Sequence, residues 1–368
     1  MTIRTIRKTV CAALSTIGVA LVAAMPRPGI AATACSDSAS SACYFTFEPP
    51  GAGGRLDYFA APASENAAPG TALIAVHGHP RDANRTFDAA LRAARRAGAA
   101  DGMLIVAPVF QVAAADAARC HSAGVPEAAP GDLLWRCDSW EGGDAADNSA
   151  DFTSFAAMDA LVLELHRRWP SLHRVTIAGF SAGAQFVQHY IGFAAVPPDL
   201  GLKIRYVIAD PGSWLYFDPV RPQPSPAVDA AACGAAGDCP LSLAPVTASC
   251  ASANDWKYGT DRMPARLGRD AAAARARYVQ ADIHYLEGAL DTGTARGTAY
   301  RILDKSCAAM AQGPFRLQRG LGYAQYDRQV LAPDRPHPLV IVPDCAHDVR
   351  CVFPADAARA ALFDSAAE

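Results

Sequence analysis

The chain of 368 residues has room for two average domains or for one large α/β domain, and in either case for a sizeable apolar core. Its formal net charge of -3 gives it nothing strongly basic, which argues against nucleic acid as a partner.

The first 34 residues carry Arg4, Arg7 and Lys8, then a largely apolar run from Val10 to Ala24, then the small residues Ala32-Thr33-Ala34 before Cys35. This order predicts a cleaved secretory signal over 1–34, and so a secreted or periplasmic protein with no stable membrane insertion. The apolar run is short for a span. Cys35 directly after the small residues leaves lipidation there as a minor alternative. Removing the segment takes away four cations and no acid, so the formal charge moves from -3 to -7.

Cys11 leaves with the signal, and an even set of cysteines stays in an exported chain, which implies disulfides. Sequence proximity favours Cys35 with Cys43, Cys120 with Cys137, Cys233 with Cys239 and Cys345 with Cys351, leaving Cys250 for Cys307. No pair has Cys-x-x-Cys spacing, so a metal-thiolate site is the weaker reading.

In the remainder, 35–368, Tyr44 to Glu48 and Arg55 to Ala60 read as two antiparallel edge strands around a Pro/Gly-rich turn. Thr71 to Val76 is a continuous apolar strand ending in His77-Gly78-His79-Pro80. A helix is predicted over Phe87 to Arg96 and a buried strand over Met103 to Pro108. Residues 109–151 break the pattern as a first insertion holding Cys120, Trp135, Cys137 and Trp140, and this insertion is expected to form one wall of a cleft. A helix over Ser154 to Arg168 precedes the strand Val175 to Ala178. The strand Arg205 to Ala209 leads into a second insertion, about 211–263. Beyond it come a helix over Arg266 to Tyr278, a strand over Ile283 to Leu286, helices over Thr298 to Ala311 and Gln318 to Val330, a strand over Leu339 to Val342 and a closing helix over Ala357 to Phe363. Alternating strands and helices predict a mostly parallel sheet with helices on both faces and two loop insertions.

The chemistry concentrates at Gly179-Phe180-Ser181-Ala182-Gly183, a Gly-x-Ser-x-Gly turn between strand and helix. Glycines on either side of such a turn allow strand and helix to pack closely, which leaves the serine hydroxyl exposed at the sheet's end. A serine needs a base to take its proton, and the base needs a carboxylate to fix its tautomer. His347 follows the last strand in a short loop. Asp291 follows the strand before it in a Gly-x-x-Asp setting and is favoured as the acid over Asp210, which closes the preceding strand. The oxyanion donors are expected at the backbone N–H groups of Ala182 and His79. His77 and His79 also form a His-x-His pair, but without a third ligand signal a metal is a poor reading, and the mechanism requires no cofactor. Trp135, Trp140, Trp214, Trp256 and Tyr258 are candidates for an apolar acyl pocket or for packing within the insertions.

The His77-Gly78 strand end, the elbow at Ser181, Asp291 and His347 together resemble an α/β-hydrolase over nearly the whole mature chain. The signal, the cysteine pairs and the segments Asp210-Pro211-Gly212-Ser213-Trp214-Leu215-Tyr216 and Asn254-Asp255-Trp256-Lys257-Tyr258-Gly259 resemble secreted polyhydroxybutyrate depolymerases and feruloyl esterases. This resemblance implies a serine esterase working through an acyl-enzyme on a small or oligomeric ester. The alternatives are a serine peptidase of the same fold and a catalytically silent binding protein on a hydrolase scaffold.

Overall fold

The computed structural model describes Cys35 and residues 38–61, 68–223, 241–247 and 249–363. The predicted signal and the Cys233–Cys239 pairing lie outside these residues.

In chain order the elements are β1 (Tyr44–Phe47), β2 (Leu56–Ala61), β3 (Thr71–Val76), α1 (Ala83–Arg96), β4 (Met103–Val109), α2 (Ala114–Cys120), β5 (Ala145–Ala146), β6 (Ser149–Thr153) and α3 (Ser154–Arg168). Then follow β7 (Arg174–Phe180), α4 (Ala182–Phe193), β8 (Lys203–Ala209), β9 (Val220–Gln223), β10 (Ser242–Pro245), α5 (Ala271–Gln280) and β11 (Asp282–Gly288). The last are α6 (Cys307–Met310), α7 (Arg316–Tyr326), β12 (Leu339–Val342), α8 (Val349–Val352) and α9 (Arg359–Leu362).

Eight strands form one sheet in the order β1-β2-β4-β3-β7-β8-β11-β12. β1 pairs antiparallel with β2 and β2 antiparallel with β4, while all other pairings in the sheet are parallel. Strand alternation feeds a separate core on each face. On β3, Ala72, Ile74 and Val76 enter one core with residues of α3, α4 and α5. Leu73 and Ala75 enter the other, with α1, α8 and α9. Both faces of the central strands are therefore covered, which is why β3, β4 and β7 read as continuous apolar runs.

Some elements differ from the sequence reading. α1 starts four residues earlier than predicted, directly after Asp82. α5 starts at Ala271, because Gly268 adopts a left-handed conformation and Asp270 caps the helix by accepting from the Ala273 N–H. The helix predicted over Thr298 to Ala311 does not form. Ala299 has φ 48°, a tight turn covers Tyr300–Ile302, and Ser306 caps only the short α6. The closing segment is likewise a tight turn plus the four-residue α9.

The first insertion carries α2 and the β5–β6 hairpin. Trp135 and Trp140 are both buried, and Trp140 stacks on Phe110 at 5.0 Å between ring centroids. Trp214 is buried against Tyr323 at 4.4 Å. Among the described residues, disulfides join Cys35 to Cys43, Cys120 to Cys137, Cys250 to Cys307 and Cys345 to Cys351. Among the described residues no helix is long and apolar enough to cross a membrane.

Candidate active site

Ser181 sits between β7 and α4 with φ 60° and ψ -119°, a strained position for a residue with a side chain. Its N–H donates to the Ala209 carbonyl at 3.0 Å. The flanking glycines are sterically required. A Cβ on Gly179 would lie 2.0 Å from the Gly183 carbonyl oxygen, and one on Gly183 would lie 2.3 Å from that of Val76. The elbow is thus wedged against the end of β3 by backbone contacts that only glycine permits.

The His347 ring reaches Ser181 from the loop after β12. Its Nε2 lies 2.9 Å from Ser181 Oγ and its Nδ1 lies 2.7 Å from Asp291 Oδ2. The histidine side chain is 6% exposed and the aspartate 2%, so this line of hydrogen bonds is nearly dry. The loop carrying His347 is held at several points. Its N–H donates to the Gly297 carbonyl at 3.1 Å, the Leu290 N–H donates to the Cys345 carbonyl at 2.8 Å, and the Phe180 ring packs on the imidazole at 4.7 Å. Cys345 and Cys351 bracket the histidine with a disulfide. Asp348 caps α8 by accepting from the Arg350 N–H.

Burial, and next the Arg316 guanidinium, hold the His347 pKa below its ordinary value, against the opposing pull of Asp291. Arg316 opens α7 and is buried. Its Nη1 donates to the Thr298 carbonyl at 2.8 Å and stands 3.5 Å from Asp291 Oδ1. The sequence reading missed this residue, because a contact across 25 positions leaves no periodic signal.

Asp210 closes β8 in the same buried region, with φ 48°, but it does not face the histidine as Asp291 does. Its Oδ1 accepts from the Gly288 N–H at 2.8 Å, and its carboxyl interacts with that of Glu287. Burial, reinforced by the charge of Asp291, pushes its pKa up to about 7. Glu287, on β11 and fully buried, is pushed well above the usual carboxylate range by burial and by Asp210 and Asp291. A buried carboxyl pair, Asp210 and Glu287, thus lies in the same region as the histidine's partner Asp291. Ligand atoms of Asp210, Asp291 and His347 fall within 4.8 Å of one another, a spacing a metal could span. Of these groups, Asp210 Oδ1 accepts from the Gly288 N–H, Asp291 Oδ2 and His347 Nδ1 bond to each other, and the Arg316 guanidinium stands at Asp291 Oδ1.

The turn after β3 abuts the elbow, since a Cβ on Gly78 would be 3.5 Å from Ser181 Cβ. The Gly78 N–H donates to Asp82 Oδ1 at 3.2 Å. The N–H groups of His79 and Ala182 have no hydrogen-bond partner among the described residues. His77 is buried and structural. The Phe110 N–H donates to its Nε2, so its Nδ1–H donates to the Gly78 carbonyl, and burial lowers its pKa to about 3. With both ring nitrogens engaged, a His-x-His metal site finds no support here.

An open cleft of about 450 Å³ lies over Ser181 and His347, lined also by Gly78, Phe180, Ile302 and Val349. The aromatic residues proposed from sequence for an acyl pocket do not line it; Trp135, Trp140 and Trp214 pack within the core.

No protein-family model matches the sequence, and no curated protein sequence does. Solved structures do. Poly(aspartic acid) hydrolase-1 from Sphingomonas sp. KT-1 is 19% identical, with 87% of this chain and 97% of that chain covered at a TM-score of 0.55. The poly(3-hydroxybutyrate) depolymerase LpqC from Bordetella parapertussis is 17% identical, with coverages of 89% and 91% and a TM-score of 0.53. The sheet order, the elbow after β7 and these likenesses define the class: the chain has the α/β-hydrolase fold.

Proposed function

We propose that the protein is a secreted serine hydrolase that cleaves carboxylic esters through an acyl-enzyme intermediate. The observation that carries this reading is the pair of hydrogen bonds through His347, 2.9 Å to Ser181 Oγ and 2.7 Å to Asp291 Oδ2. In this reading Ser181 Oγ attacks the ester carbonyl while His347 Nε2 takes its proton. The resulting oxyanion is met by the N–H groups of His79 and Ala182. Asp291 holds the imidazole with its proton on Nδ1 and stabilises the imidazolium. His347 then protonates the leaving alcohol, and water enters by the same route in reverse to release the acid. Asp291, not Asp210, is the acid, because its carboxylate faces Nδ1 while Asp210 is turned to the Gly288 N–H.

Export is supported by the leader pattern of residues 1–34 and by four disulfides, which persist in oxidising compartments. The similar structures are named for a polyester and a polyamide, so the substrate panel sets short and long acyl esters and a feruloyl ester beside a hydroxybutyrate oligomer and a peptide amide. A fluorophosphonate probe tests the nucleophile directly. It should label the folded protein and fail on Ser181→Ala, whose ester turnover should fall on the order of a thousandfold or more. Near-wild-type turnover by folded Ser181→Ala would overturn the assignment.

A further inference from the structure

We propose that the cleft takes an ester carrying a carboxylate beyond its scissile bond, attached through a short aliphatic chain. The proposal rests on Ser181 being the nucleophile of an ester hydrolase. The cleft over Ser181 has Arg85 and Arg350 among its lining residues. A second hollow shares Gly297 and Ala299 with it and is lined by Arg296, Arg301 and Lys305. Five cations thus line the joined surface against two acids, Asp82 and Asp348, in a chain whose formal charge is -3.

The two acids offset only part of that charge and leave an excess of three cations. Asp348 is tied to Arg350 at 2.8 Å, which neutralises that pair. Asp82 accepts from the Gly78 N–H through Oδ1 and interacts electrostatically with both Arg85 and His347. Arg85, Arg296 and Arg301 have no hydrogen-bonded carboxylate among the described residues. Arg85 also stands in the first turn of α1, where the only adjacent acid is the N-cap Asp82, so its charge adds to the positive end of that helix. Lys305 is fixed in place, donating to the carbonyls of Tyr300, Arg301 and Leu303.

The same surface supplies an apolar path. Phe180, Val349 and Ile302 line the cleft, and Ile302 is 57% exposed. An aliphatic segment lying over Ile302 would carry a terminal carboxylate from the reacting carbonyl toward Arg296 and Arg301. A cleft dominated by one sign of charge concentrates an oppositely charged substrate, by roughly ten- to a thousandfold at low ionic strength.

The test compares kcat/KM within two matched pairs. Acyl-side charge is read by p-nitrophenyl hemiglutarate against p-nitrophenyl valerate. Alcohol-side charge is read by the butyrate ester of β-hydroxybutyrate against that of β-hydroxybutyramide. We expect the carboxylate member of at least one pair to be favoured about tenfold or more at low salt. That ratio should shrink at high salt and fall to or below one in Arg296→Glu/Arg301→Glu. A ratio near one in both pairs, or one that the double reversal leaves unchanged, overturns the proposal. If no ester is cleaved at all, the ester reading fails, and calorimetry of glutarate against Ser181→Ala decides the anion site separately. Salt-sensitive binding that disappears with the two glutamates retains the site; no binding removes it.

Discussion

Arg316 Nη1 stands 3.5 Å from Asp291 Oδ1, the oxygen of that carboxylate turned away from His347. The guanidinium is buried with the pair it serves. It balances the Asp291 charge, and it also makes protonation of His347 less favourable. If His347 is the general base, its neutral form is the active one. A lowered pKa keeps it neutral further into acid, so the acid limb of kcat/KM should have its midpoint below the ordinary histidine value of about 6.5. Arg316→Gln removes a lowering charge and should move that midpoint upward. A pH profile of the variant with the limb unmoved, or moved to lower pH, would show that Arg316 serves packing alone.

The two aspartates near the histidine should separate cleanly. Asp291→Asn leaves His347 without its anionic partner and in the wrong tautomer, a change worth on the order of ten-thousandfold in kcat in the serine protease triad. Asp210→Asn still offers an oxygen to the Gly288 N–H and removes no contact to the imidazole. Steady-state turnover of the two variants should therefore rank Asp291→Asn far below Asp210→Asn. The reverse ranking would assign the acid to the end of β8.

Asp210 should show itself in stability instead. Its folded pKa of about 7 lies above the reference value of 3.8, so the native state binds the proton more tightly than the unfolded chain does. The associated stabilisation is fully present below about pH 4 and is lost as pH rises toward 7. A carboxamide at 210 does not titrate. Urea midpoints measured across this range should fall more steeply with pH for the wild type than for Asp210→Asn, with the variant gaining relative to the wild type above pH 7. Parallel slopes would mean that Asp210 ionises in the fold without cost.

Much of this was legible in sequence where a single local rule governs. β3 and α3 match their predicted bounds because an uninterrupted apolar run and a helical apolar spacing each end at a clear stop, His77-Gly78 and the Trp169-Pro170 pair. The elbow was readable for the same reason, since its glycines meet backbone at 2.0 and 2.3 Å. The alanine-rich stretch 298–311 misled because its helical propensity yields to tertiary contacts. The Thr298 carbonyl is taken by Arg316, Asp304 binds Tyr258, and the Cys250–Cys307 disulfide anchors the far end. Trp135 and Trp140 were ambiguous because an aromatic in an insertion has no periodicity to say which way it faces; here they join the main core beside Phe110 and Phe186. Glu287 and Arg316 were invisible, since a buried ionisable group inside a strand or at a helix start is recognisable only once its neighbours are assembled.

The glycine at the base of the elbow should be among the least replaceable residues of the chain. In Gly183→Ala the new Cβ meets the carbonyl oxygens of Val76 and His77 at 2.3 and 2.5 Å, both backbone atoms that cannot rotate aside. Either α4 or the end of β3 must shift, and overpacking of this kind costs about 1–3 kcal/mol. Chemical denaturation should detect that loss, and turnover should fall with it because Ser181 and the N–H groups of His79 and Ala182 sit on the two elements forced apart. An alanine at Gly102, which has no atom within 4 Å of its added Cβ and no positive φ, supplies the control for a Gly-to-Ala change without collision. Equal stability of Gly183→Ala and wild type would mean that the elbow and β3 are not in backbone contact.

The last prediction concerns Cys345 and Cys351, six positions apart with Cα atoms 5.6 Å from each other and His347 between them. The Cys345 carbonyl accepts from the Leu290 N–H, so the bracketed loop also touches the segment that carries Asp291. A closed loop this short removes few conformations from the unfolded chain compared with a long one, so its effect on stability should be modest. Its effect on placement should be larger, because a catalytic group needs its position held within roughly half an ångström. Cys345→Ala/Cys351→Ala should therefore lower kcat by a larger factor than the change in folded fraction explains, while fluorophosphonate still labels Ser181 more slowly. Turnover is to be measured well below the midpoint of thermal unfolding, beside a denaturation curve for the same preparation. Unchanged kcat under those conditions would mean that the hydrogen bonds from His347 to Gly297 and Asp291 hold the ring without the disulfide.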